Sequence, residues 1–153
     1  MAGTPSVSPM TSHLGYWLRF VSNHVSHAFA AKLAAQDVTV AEWAVLRTLY
    51  GADAIAPSGL SERMGLTRGA ISKLADRLIA KALIVREDSD KDGRAHSLAL
   101  SAAGRRLVPR LSLLADRNDA EFFDHLTAQE RKTIERVLRG VIARRGLTGV
   151  PVS

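Results

Sequence analysis

From Leu14 onward the apolar residues Leu14, Leu18, Val21, Val25 and Leu33 recur mostly three and four positions apart. That period marks one stripe of a long helix ending near Gln36. Thr39 and Glu42 stand at capping-box spacing ahead of Trp43, Leu46, Leu49 and Tyr50, which predicts a second helix up to Gly51. Pro57 and Ser58 open a short third helix through Met64, and Gly65 stops it. Thr67 caps a fourth helix reaching about Lys81, with Ile71, Leu74, Leu78 and Ile79 turned inward and Arg68, Ser72, Lys73 and Arg77 outward. Two short helices about a tight glycine-containing turn form a helix-turn-helix pattern.

After Leu83 the period changes. Ile84 to Glu87 and the stretch from Arg94 to Leu100, with Leu98 and Leu100 alternating, read as the strands of a β-hairpin. The polar run Asp88 to Gly93 between them is too long for a tight turn, so the tip is expected to project and be mobile, as a wing. Ser101 opens a further helix with Leu107, Leu111 and Leu114 as its core stripe and a kink expected at Pro109. Thr127 and Glu130 repeat the capping-box spacing and start a last helix whose apolar side is Ile134, Val137, Leu138, Val141 and Ile142. Residues 1–11 read as a mobile tail and residues 146–153 as a frayed one.

Composition narrows the chemistry. With 153 residues, 46% of them apolar, the chain suits one domain with its own core. It contains no cysteine, which excludes disulfides, thiolate metal sites, cysteine nucleophiles and thiol redox sensing. No run approaches the ~20 apolar residues of a membrane span, and the first residues resemble no secretion signal, so a cytoplasmic protein is expected. The net charge is +6, and it is localised. Between Ser58 and Arg110 eleven basic residues face six acidic ones, whereas both ends of the chain are close to balance. Such a field attracts polyanions. There is no glycine-rich phosphate loop, nucleophile elbow or carboxylate pair, so catalysis is not expected. His24 and His27 lie one helical turn apart, a spacing two metal ligands can share, but no third ligand follows at a convincing distance and no metal or cofactor is expected.

The run Leu66-Thr67-Arg68-Gly69-Ala70-Ile71-Ser72-Lys73-Leu74-Ala75-Asp76-Arg77-Leu78, followed by Asp92-Gly93-Arg94-Ala95 and by Leu98-Ala99-Leu100-Ser101 with Gly104, resembles the MarR family of winged-helix transcriptional regulators. The resemblance spans about Leu14 to Arg144. Two positions depart from the family pattern. Ala82 stands where a glycine is usual, which predicts a less tightly turned exit from the fourth helix, and Gly93 replaces a basic residue often found in the wing.

The resemblance implies a mainly α fold with a small β-hairpin wing (α+β): a winged helix-turn-helix module over 38–101 between dimerisation helices at 12–36 and 102–145, together one domain over 12–145. It implies a homodimer on a pseudo-palindromic operator of double-stranded DNA, and both terminal helices carry more apolar stripe than so small a domain buries alone. The fourth helix then enters the major groove. Arg68 is the candidate for direct base readout, Ser72, Lys73 and Arg77 for phosphates, and Ser58, Ser61 and Thr67 for the backbone, while small Gly69 and Ala70 allow close approach. At the wing, Arg94 is the expected minor-groove residue, held by Asp92, with Arg86 and Lys91 completing the DNA-binding set. Family members are often released from DNA by small aromatic or phenolic effectors; the candidate residues are His13, Tyr16, Trp17, Trp43 and Arg47. The expected function is a repressor relieved by such a ligand, with no membrane partner. The alternatives are a winged module binding an acidic protein and a histidine-dependent metal-responsive protein.

Overall fold

Eight elements follow one another in the order the hydrophobic periods predict, and the computed structural model describes residues 5–88 and 96–152. They are α1 (Leu14–Ala34), α2 (Val40–Tyr50), α3 (Pro57–Met64), α4 (Arg68–Ala80), β1 (Ile84–Asp88), β2 (His96–Leu100), α5 (Ala102–Phe123) and α6 (Ala128–Arg145). The fold is mainly helical with one antiparallel hairpin. Lys91, Asp92 and Arg94, and the expected wing tip, lie outside the described residues.

The core sits where the end of α1, α2, α3, α4, the hairpin root and α5 converge. Leu33, Leu46, Leu49, Leu60, Met64, Ile71, Leu78, Ile84, Leu98 and Leu111 are all fully buried there. Each such side chain contributes roughly 1.5–3 kcal/mol of transfer free energy, which fixes the winged module as the best-packed part of the chain. In the hairpin Ile84 pairs with Leu100 and Asp88 with His96. Its inner end is extended by Ile55, which exchanges two backbone hydrogen bonds with Leu98 (2.9 and 2.8 Å). That bridge seats the wing root against the loop before α3, and no periodic pattern announces a single-residue bridge.

Several expectations need correction. The first residues are not featureless: Met10–Ser12 forms a 3-10 turn in which the Ser12 backbone N–H and hydroxyl both donate to the Pro9 carbonyl (3.0 and 2.7 Å), and Trp17 Nε1–H donates to Thr11 (3.0 Å). The segment after Gly146 is not frayed. Val150 N–H donates to the Met64 carbonyl (3.1 Å), Val152 packs on the core, and Gly149 lies so close to Gly65 that a Cβ at Gly65 would stand 2.8 Å from the Gly149 Cα. Both glycines have positive φ (66° and 98°), so two backbones approach where side chains cannot. The exit of α4 is turned tightly despite its alanine. Ala82 adopts φ 58°, and Leu83 N–H donates to Leu78 (2.9 Å), closing a left-handed helix end of the kind glycine usually makes.

The two capping-box spacings also diverge. At Thr127 the box closes in both directions with Glu130. At Thr39 the hydroxyl accepts the Glu42 N–H (3.1 Å), but the Glu42 carboxylate pairs with Lys81 instead (2.8 Å). α5 continues through Pro109, with Val108 and Leu111 buried and Leu107 and Leu114 packed against the core. Buried Asn118 fastens α5 to α1: its Nδ2 donates to the Val25 carbonyl (3.1 Å) and its Oδ1 accepts from Lys32 Nζ (3.0 Å).

Candidate nucleic-acid interface

The helix-turn-helix is built from α3, the turn Gly65-Leu66-Thr67, and α4. Gly65 takes φ 66°, which reverses the chain after Met64, and the Ser61 hydroxyl donates to the Leu66 carbonyl across the turn. Thr67 accepts the Ala70 N–H (3.1 Å) and so starts α4. The N–H groups of Arg68 and Gly69 are left pointing out of the helix start, where the helix dipole favours an anion.

Burial divides α4 sharply. Ile71, Leu74, Ala75 and Leu78 are in the core, whereas Arg68, Gly69, Ser72, Lys73 and Arg77 are exposed. Arg68, Ser72, Lys73 and Arg77 make no side-chain hydrogen bond or ion pair among the described residues. The outward half of the helix thus carries three cations available to a polyanion. Ser58 is exposed on the first turn of α3; Ala70 is half-buried and offers less of a gap than expected.

Two expected contact residues have other partners. The Ser61 proton is committed to Leu66, so that hydroxyl serves the turn rather than a phosphate. Arg86, on β1, pairs with Asp76 on α4 (2.8 Å), which ties the hairpin to that helix and offsets the arginine's charge. Neither pairing has a local sequence signature. Between helix and hairpin lies an open groove of about 330 Å³ lined by Ser72, Ala75, Arg86 and His96 among others, and His96 Nδ1 is 3.8 Å from Asp88 across the hairpin.

The five residues expected to bind a ligand do not gather in one cavity of a single chain. Trp43 lines a crevice of about 320 Å³ between α1, α2 and α5, together with Val25, Ser26, Phe29, Val40, Ala115, Asn118, Asp119 and Pro151. Phe29 meets Trp43 edge to face at 6.4 Å. Tyr16 and Trp17 pack on each other at 5.0 Å near the start of α1, beside His13, and Arg47 lines a separate depression with Tyr50 and Pro109. Phe29 and Asn118 went unnoticed because apolar and amide residues inside a helical pattern look like core. His24 Nδ1–H donates to the Phe20 carbonyl (2.8 Å), and among the described residues no cluster of three His, Asp or Glu side chains is placed to hold a metal ion. No helix of the described residues is long and apolar enough to cross a membrane.

Comparison with known proteins bears on this surface. Residues 36–95 match the model of the MarR family. PrsX, an HTH-type transcriptional regulator of Escherichia coli, is 28% identical over 113 residues, 72% of this chain and 68% of PrsX. The multiple antibiotic resistance protein MarR of the same species is 26% identical over 130 residues, 84% of this chain and 90% of MarR. The crystal structure of a MarR mutant complexed with operator DNA is similar at 25% identity with a TM-score of 0.76, covering 88% of this chain and 99% of that one. The structure of Bordetella bronchiseptica BpsR, described with a mechanism for regulation of its DNA binding by 6-hydroxynicotinic acid, shares the fold at 21% identity and a TM-score of 0.76, covering 89% of this chain and 97% of that one.

Proposed function

We propose that this chain, which is similar to the MarR family over residues 36–95 and to transcriptional regulators of that family, is a DNA-binding regulator and not an enzyme, acting as a homodimeric repressor released from its operator by a small aromatic acid. The observation that carries this reading is the divided face of α4. A helix whose inner side is locked in the core presents Arg68, Ser72, Lys73 and Arg77 across its outward half, which suits a helix lying in a major groove between two phosphate backbones. Arg68 at the helix start reads a base edge; Lys73 and Arg77 neutralise phosphates; Ser58 and Thr67 donate from helix starts. Arg94, with Lys91 and Asp92 beside it in sequence, serves the minor groove. A dimer sitting on a promoter blocks polymerase by occupancy, which makes repression the direct consequence of binding, and a duplex-DNA target places the work in the cytoplasm.

Dimerisation is supported by faces that a single chain leaves uncovered. On α1, Leu14, Trp17, Leu18 and Val21 form one exposed stripe; on α6, Ile134, Val137, Leu138, Val141 and Ile142 form another, each 40 to 50% exposed, and α6 buries no residue at all. Contiguous exposed apolar stripes of this kind mark interaction surfaces. For the effector, the crevice beside Phe29 and Trp43 offers an apolar, aromatic wall with the amide of Asn118 at hand, and BpsR supplies a precedent for an aromatic acid acting on DNA binding within this fold.

Mobility shift on duplex from upstream of the protein's own gene, run over a salt series with unrelated duplex as competitor, tests the DNA reading. Tight, competitor-resistant binding that weakens steeply with salt is expected, because phosphate neutralisation releases counterions. Binding no tighter than to competitor at any salt, joined to tight capture of an acidic protein, would favour the alternative reading of the basic surface. For the effector, a Trp17→Phe variant leaves Trp43 as the only reporter; hydroxybenzoic acids should quench it and release DNA in parallel.

A further inference from the structure

Thr39 and Glu42 have the spacing at which a helix start closes on itself, as Thr127 and Glu130 do, yet Glu42 turns away. Its carboxylate is 2% exposed, and Oε2 lies 2.8 Å from Nζ of Lys81, the residue that ends α4. Lys81 Nζ also donates to the Asp37 carbonyl and has the Asp37 carboxylate at 3.7 Å. One ammonium therefore joins three places: the turn after α1, the first turn of α2, and the exit of α4. The chain reversals on either side of it are both left-handed, with Asp37 at φ 56° and Ala82 at φ 58°. A buried carboxylate is costly to desolvate and persists only with a well-placed partner, so this link is not an incidental surface pair.

Resting on the dimeric DNA-binding reading above, we propose that Lys81 is a positioning residue for operator recognition. Through Glu42 and Asp37 it fixes the angle of α4 against α1, the helix bearing one of the dimer stripes, and so sets the half-site spacing that two recognition helices accept. The lever is long. Arg68 stands thirteen residues before Lys81, about 20 Å along the helix, so a tilt of about 5° at the exit displaces the DNA-reading end by roughly 2 Å. A hydrogen bond to a base edge does not survive such a displacement. Lys81 itself lies at the end of α4 opposite Arg68, one turn beyond Arg77, and its ammonium touches protein groups only among the described residues.

The test uses a duplex selected from a random-sequence pool by the full-length protein, with its central spacer lengthened or shortened by one and two base pairs. Wild type, Lys81→Met, Lys81→Arg and the double variant Glu42→Leu/Lys81→Met are compared for affinity, salt slope and urea midpoint. Wild type should lose about tenfold or more on spacer change, and Lys81→Met should bind the selected spacing about tenfold more weakly while hardly distinguishing the others. Its salt slope should match wild type, because no phosphate contact is lost. Lys81→Arg should keep the spacing preference. The double variant, which leaves no buried charge unpaired, should regain the urea midpoint but not the preference. Recovery of both would make the pair merely structural, and a salt slope lower by about one in Lys81→Met would make Lys81 a phosphate contact; either overturns the proposal. A wild-type protein that selects no duplex fails the DNA reading itself, and this inference with it.

Discussion

Arg68 opens α4 with an exposed guanidinium, three residues before the helix turns its first large side chain, Ile71, into the core. That position allows paired hydrogen bonds to guanine O6 and N7, so Arg68→Ala should cost about 1–3 kcal/mol at one base pair and little elsewhere. Lys73→Ala should instead weaken every sequence alike and lower the salt slope by about one. Titration against a selected duplex and its single-base variants separates the two; equal losses on all sequences for Arg68→Ala would move it among the phosphate contacts. Gly104 acts through the fold. A methyl group there would overlap the Leu83 carbonyl oxygen, a backbone atom pinned by the Ser101 N–H (3.0 Å). Gly104→Ala should therefore destabilise by about 3 kcal/mol, the upper end of overpacking costs, measured by urea unfolding; an unchanged midpoint would show that the α5 start is free to shift. Outward placement of Arg68, Lys73 and Arg77 was legible in the sequence, because the helical period assigns faces. The true roles of Ser61 and Arg86 were not, since Leu66 lies across a turn and Asp76 on another element.

Among elements, the clearest departure from sequence reading is the end of α4. Glycine is usual at such an exit, and alanine was expected to loosen it, yet the backbone of Ala82 is held at φ 58° by bonds from both sides: Ser101 Oγ donates to its carbonyl (2.7 Å) and its own N–H to Ile79 (2.9 Å). The surroundings impose the left-handed turn, and alanine bears the strain of its Cβ. Ala82→Gly should accordingly stabilise the protein by about 1 kcal/mol. A urea midpoint that moves down would mean that the turn is not strained. The existence of all six α-helices and of the hairpin was readable from period and caps, whereas the 3-10 turn at Met10–Ser12 was not. What escaped was set by distant partners: Lys81 takes Glu42 from its cap, and the Met64 carbonyl draws Val150 in from the far end of the chain. No window of a dozen residues contains both members of either pair.

At the scale of the molecule, a well-packed winged module is joined to two helices, α1 and α6, whose apolar stripes find no cover among the described residues. In the proposed dimer a second copy of the chain covers them. Val137→Asp, in the middle of the α6 stripe, should give a folded monomer by sedimentation equilibrium and reduce DNA binding to the non-specific level, while wild type sediments as a dimer; a variant that remains dimeric would place the interface elsewhere. The central claim is that two copies of α4, held by that interface, read one duplex. Hydroxyl-radical footprinting on the DNA that the protein selects addresses it most directly. Two protected patches are expected, centred about one helical turn, or a whole multiple of it, apart, both lost together in Val137→Asp. A single protected patch of one module's width, unchanged by Val137→Asp, would contradict it.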